Sequence, residues 1–136
     1  MNRKSILVCF VTMMAAMGAA ASAHHSAAAY GDATIVLKNA TIRGMVWANP
    51  HTILTFDVKD AKGGVATWTA ESGSPSALTR MGWNRNSVKA GDPVAIELFP
   101  ARNGARVGRL AKVILADGRE LLDSQGTEGS VGKPVP

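Results

Sequence analysis

Cysteine is almost missing from this chain. Cys9 is the single one among 136 residues. It lies in an apolar leading stretch, behind Val8 rather than a small residue, so it does not form a lipoprotein site. A disulfide framework is excluded, and so are cysteine-based metal centres. No CxxC or HExxH spacing occurs, which removes the common zinc patterns. Basic residues form no cluster and do not interleave with the aromatics, so a nucleic-acid interface is not expected. No apolar run reaches the roughly 20 residues that a bilayer-spanning helix needs. Histidine is scarce too: there are 3, and two of them, His24 and His25, are adjacent.

What is present begins with a secretory signal. Arg3 and Lys4 form a short positive region, and an apolar stretch of about a dozen residues follows. Ala21-Ser22-Ala23 then puts small residues where signal peptidase cuts, which places cleavage between Ala23 and His24. Residues 1–23 are therefore expected to be removed. The mature protein is expected to be secreted and periplasmic, with no transmembrane anchor. Losing Arg3 and Lys4 takes Lys+Arg from 15 to 13 against 10 acids, a weakly basic balance of +3. The remaining chain fits one small domain with a modest core.

Residues 24–33 are small and polar without a clean period, and they read as an arm. Residues 34–48 are rich in β-branched side chains, but the alternation changes phase. Ile35 and Leu37 share one parity, Ile42 and Val46 the other. One long strand with a bulge near Asn39-Ala40 explains this, and so do two short strands. After Asn49-Pro50, residues 52–59 alternate cleanly, with Leu54, Phe56 and Val58 on one face. Lys62-Gly63-Gly64 is a turn, and residues 65–71 alternate again through Ala66, Trp68 and Ala70. Ser74 can cap a short helix, Pro75 suits its first position, and Gly82 fits the left-handed residue after it. Trp83 is then the apolar residue that packs back. Strands follow over 94–99 and 109–115. Asp117-Gly118 is a two-residue hairpin signal, with residues 120–122 as the return strand. Residues 123–136 lack any apolar period and read as a disordered tail. The barrel domain is thus expected over residues 34–122.

Three strands, a short helix and two more strands make the order of an oligonucleotide/oligosaccharide-binding (OB) barrel. The expected class is all-β with one short helix, as a small five-stranded OB-like barrel. An open β-roll is the alternative.

"AHHS" at the cleavage site, "WANPH", "ESGSPSALTRMGW" and "KAGDPV" occur together. In this combination the chain resembles a family of small secreted bacterial proteins catalogued as a domain of unknown function. The resemblance runs from about His24 to Leu122. It implies a secreted β-barrel domain and supplies no activity. A glycine expected in the first strand is replaced around Asn39-Ala40.

Cleavage at Ala23 makes His24 the first mature residue. An α-amine titrates near pH 8 and an imidazole near 6.5. Together, the amine and the ring Nδ1 can chelate one metal ion, and a third histidine nitrogen would complete a histidine brace. All-nitrogen tetragonal sites favour Cu(II). The candidates for that third nitrogen are His51, in the "NPH" link, and His25, whose reach its own backbone constrains. The arm of residues 24–33 can extend roughly 33 Å, enough to reach His51. The bland alternative is a solvated arm, with the His51 ring donating to a backbone carbonyl.

Trp47 and Trp68 are weak candidates for stacking an organic ligand. Trp68 and Trp83 also read as core. Glu71 can pair with Arg80 or Arg85, or accept amides at the helix start. "ESGSPS" is not a nucleophile elbow, and no carboxylate pair has a recognisable spacing. No catalytic residue is expected, and the protein is not expected to be an enzyme. The leading reading is a small secreted binding module that takes copper through His24, His51 and His25. The alternatives are an envelope protein-interaction or structural module without metal, and a binder of a small organic ligand on the barrel face.

Overall fold

The computed structural model describes residues 29–125. The signal segment, its cleavage site at Ala23, and both His24 and His25 lie outside the described residues. In chain order the elements are β1 (Ile35–Val46), β2 (Ile53–Lys59), β3 (Val65–Glu71), α1 (Pro75–Arg80), β4 (Pro93–Pro100), β5 (Val107–Leu115) and β6 (Glu120–Leu122).

β1 is one long strand, and it serves two partners. Its first half pairs with β4 and its second half with β2, both antiparallel. The register with β4 slips between Leu37 and Ala40. Asn39 sits there at φ 57°, the left-handed region that glycine enters freely and asparagine tolerates. The slip lets Leu37 pack on the core and brings Ala40 and Ile42 into it. A second slip, against β2, falls between Ile42 and Gly44. It restores the original parity, so Met45 packs on the core while Val46 is 61% exposed. Val46 shares the parity of Ile42 in sequence, but the second slip puts it on the opposite face.

The barrel closes through β1–β2–β3–β5–β4 and back to β1. Its one parallel seam joins Thr69–Ala70–Glu71 of β3 to Val107–Gly108–Arg109 of β5. Gly108, within that seam, permits a close approach by β4 on the other side. A Cβ there would lie 2.5 Å from Leu98 Cδ1 and 2.8 Å from the Phe99 carbonyl oxygen. Inside the barrel, Leu54, Phe56, Ala70, Ile96, Leu98, Leu110 and Val113 are fully buried, as the period-two patterns require. This is the expected OB-like barrel, with β6 added at the edge of β5.

α1 is a six-residue helix between β3 and β4 in chain order. The Ser74 hydroxyl accepts from the Ala77 amide, and Pro75 fills the first turn. Gly82, at φ 90°, donates to Thr79, and Trp83 donates to Leu78. That pair of bonds ends the helix in a Schellman motif. Leu78 and Trp83 thereby enter the core, where they are 0% and 1% exposed. The β5–β6 hairpin is longer than the two residues expected. Gly118 donates to Leu115, and Leu115 donates to Arg119. Residues 116–118 therefore form a three-residue loop with Gly118 at φ 85°.

The chain beyond β6 does not leave the domain at once. Asp123, assigned to the tail from its sequence context, is 1% exposed. Its Oδ1 accepts from the Ser72 hydroxyl at 2.6 Å and from the Gly73 amide at 2.9 Å. Its own amide donates to Ala111. Residues 126–136 lie outside the described residues.

Candidate functional site

Four backbone features converge at one end of the barrel. They are the β1–β2 link, the end of β3, the β4–β5 loop and the root of the N-terminal arm. Strand register puts them together. Ile53 at the start of β2 pairs with Glu71 at the end of β3. Glu71 in turn pairs with Arg109 near the start of β5.

His51 lies in the β1–β2 link, just before β2. Its neighbour Thr52 donates to the Gly73 carbonyl and accepts from the Ser72 amide. The ladder thus runs past the strand ends and fixes the backbone beside His51. The ring Nδ1 lies 3.2 Å from the Ser72 carbonyl oxygen and 3.3 Å from Glu71 Oε1. Both neighbours are acceptors, so Nδ1 carries the hydrogen. In the neutral ring this leaves the lone pair on Nε2, and the side chain is 44% exposed. The carbonyl contact matches the bland expectation for this histidine. It is also the outer hydrogen bond that metal-ligating histidines make with their other nitrogen.

Glu71 does not pair with Arg80 or Arg85. Its second oxygen, Oε2, accepts from the Tyr30 hydroxyl at 3.1 Å. Tyr30 belongs to the arm, and that part of the arm is docked. The Gly31 amide donates to the Pro100 carbonyl, and the Arg102 amide donates to the Ala29 carbonyl. Arg102 also pairs with Asp32 at 2.8 Å. Burial pushes the Tyr30 phenol above its ordinary range, and the Glu71 charge and hydrogen bond push the same way. Arg109 opposes them. The Arg109 guanidinium rests 4.2 Å above the Phe99 ring, which lies at the next place in the same cross-strand row.

Of the tryptophans, Trp83 is core, whereas Trp47 and Trp68 keep part of their surface exposed. Trp83 is buried, and its Nε1 donates to the Leu122 carbonyl. Trp68 pairs with Phe56 on the inward face, and both it and Trp47 are partly buried against the core. A shallow groove of about 480 Å³ lies toward the other end of the barrel, between Asn39, Asp57, Lys59, Val65 and Pro93. None of its lining residues is aromatic. Among the described residues no three metal-ligating side chains come together. Tyr30 and Glu71 complete a cluster with His51 that the sequence did not assemble. The only signal for it was Tyr30 standing as the sole tyrosine, in an otherwise small-residue arm.

The topology defines a small OB-like β-barrel domain whose polar cluster gathers where the N-terminal arm docks. The chain belongs to the family of unknown function DUF6152, whose profile matches residues 12–111. The match ends inside β5, so the β6 hairpin lies beyond it. No curated protein and no solved structure matches the chain.

Proposed function

We propose that this domain is a secreted, periplasmic binding module that takes Cu(II) through the mature N-terminus. In this reading His24 contributes its amine and Nδ1, and His51 contributes Nε2. The observation that carries it is the His51 ring, with Nδ1 engaged by Ser72 and Glu71 and the Nε2 lone pair without a hydrogen-bond partner among the described residues. The docked arm adds support. Tyr30 is fixed to Glu71, the same carboxylate that touches His51. His24 is six residues before Tyr30, a reach of at most roughly 20 Å. That is much less than the whole arm would span. Three nitrogen donors suit copper better than the harder divalent ions.

The test is a Cu(II) titration of protein that begins at His24, beside the same protein carrying one extra residue before it. The extension blocks the amine chelate and leaves every ring intact. Binding that weakens on extension as strongly as on removal of His24 supports the brace. Equal affinity of the two forms rejects it. A protein that binds no copper in either form returns the domain to the protein-interaction reading.

A further inference from the structure

Glu71 uses its two carboxylate oxygens on two different segments. Oε2 holds the Tyr30 hydroxyl, 41 residues away in sequence, and Oε1 faces the Nδ1 of His51. The carboxylate itself is held on the barrel. It ends β3 with Ile53 paired on one side and Arg109 on the other. It is 33% exposed and so remains partly screened by solvent. The geometry points to Glu71 as the positioning residue that couples docking of the N-terminal arm to the orientation and tautomer of the His51 ring.

The chemistry behind this is the donor count. A carboxylate only accepts, so it stabilises hydrogen on Nδ1 and leaves Nε2 as the lone-pair nitrogen. The Ser72 carbonyl asks the same of Nδ1. The two acceptors hold the ring from its Nδ1 side. The same carboxylate is the hydrogen-bond partner of the arm's one phenol. Losing it therefore loosens the arm root, which keeps its Pro100 and Arg102 contacts, and relaxes the ring together. A glutamine in its place keeps the volume but adds an NH₂ donor. Turned toward Nδ1, that donor favours the opposite tautomer. The copper arm of the test rests on the reading given under Proposed function, whereas the ring and arm measurements need no metal.

The experiment compares wild type, Glu71→Gln, Glu71→Asp and Tyr30→Phe as full mature chains without metal. Nitrogen NMR of the imidazoles at alkaline pH reads the His51 tautomer, and His51→Ala identifies its signals. Hydrogen exchange at the Gly31 and Arg102 amides reads arm docking. Thermal melting confirms that each variant folds. The expected result is Nδ1–H in wild type and a mixture of tautomers in Glu71→Gln. The amide oxygen left facing Tyr30 is a weaker acceptor than the charged carboxylate, so exchange at both amides becomes a few-fold faster in that variant. Tyr30→Phe speeds exchange and leaves the tautomer unchanged, and Glu71→Asp restores part of both readouts. If Glu71→Gln leaves the tautomer of wild type in place, or leaves arm exchange unchanged, the coupling is wrong. Cu(II) affinity is then measured on the same proteins. A loss on the order of 10-fold or more in Glu71→Gln is expected for an outer hydrogen-bond partner of a ligand. If wild type binds no copper while the tautomer still moves, the copper reading fails and the role of Glu71 stands.

Discussion

Asn39 shows how one residue can stand in for another at a fixed backbone conformation. The chain must turn through φ 57° at this point so that β1 can change partners. A non-glycine residue held there costs on the order of 1–3 kcal/mol, with asparagine among the cheapest. This is the region where the resemblance leads one to expect a glycine. Asn39→Gly should therefore stabilise the domain by up to about 1 kcal/mol, because relief of strain outweighs the added freedom of the unfolded chain. Asn39→Val should destabilise it by about 1–3 kcal/mol. Urea denaturation measures both, and a glycine variant weaker than wild type would count against the strain argument. Tyr30 gives a second test at this scale, because it is the sole tyrosine. Burial, then the Glu71 charge, favours its neutral form. A phenol raised in the folded state stabilises docking below its ordinary pKa of 10.0 and loses that contribution as pH rises through the folded value. The ultraviolet absorbance of phenolate should titrate with a midpoint above 10.0. In Glu71→Gln the midpoint should move down toward 10.0, without needing to reach it because burial remains. A midpoint at or below 10.0 in wild type would show that the arm is not docked in solution.

The elements separate what was legible in the sequence from what was not. The helix was legible because its signals are local. Ser74, Pro75, Gly82 and Trp83 each act on amides or carbonyls within a few residues. The strands were legible wherever alternation ran unbroken, as in Leu54, Phe56 and Val58. The second slip of β1 was not, because it depends on how β2 lies opposite and leaves no turn residue as a mark other than Gly44. The knot at Asp123 was hidden for a related reason. An aspartate followed by serine and glutamine looks like the start of a solvated tail, yet its partners are 51 and 50 residues away. The cluster of Tyr30, Glu71 and His51 was illegible in the same way, since only barrel closure brings those segments together. The Asp123 knot ties the β3–α1 loop to the chain beyond β6. Asp123→Ala strips a buried hydroxyl and a buried amide of their acceptor, so it should cost about 2–4 kcal/mol. Deleting residues 126–136 should cost little, because Asp123 and its partners are retained. If chemical denaturation shows Asp123→Ala to be as stable as wild type, the domain does end at β6.

For the whole molecule, processing, docking and ligand chemistry have to agree. In the proposed reading, cleavage after Ala23 creates the amine; the barrel holds the far end of the arm through Tyr30 and Gly31, and the β1–β2 link places His51 beside the same Glu71 carboxylate. Each step is separable by measurement. Intact mass of protein exported with its own signal should correspond to a chain starting at His24. Cleavage elsewhere would remove the chelating amine and with it the copper proposal. Given that start, the two candidate rings differ in what holds them. His51 is braced by Ser72 and Glu71 on the barrel, while His25 adjoins the chelating residue and its reach is limited by their shared backbone. His51→Ala should therefore weaken Cu(II) binding more than His25→Ala. Protons compete with the metal for the donor nitrogens, so affinity should fall as pH drops below about 8, where the α-amine takes up its proton. The fall should be shallower in His51→Ala, which has one fewer imidazole to deprotonate. Equal losses in the two alanine variants, with the same pH slope in both, would mean that the barrel contributes no ligand and that copper is held by the arm alone.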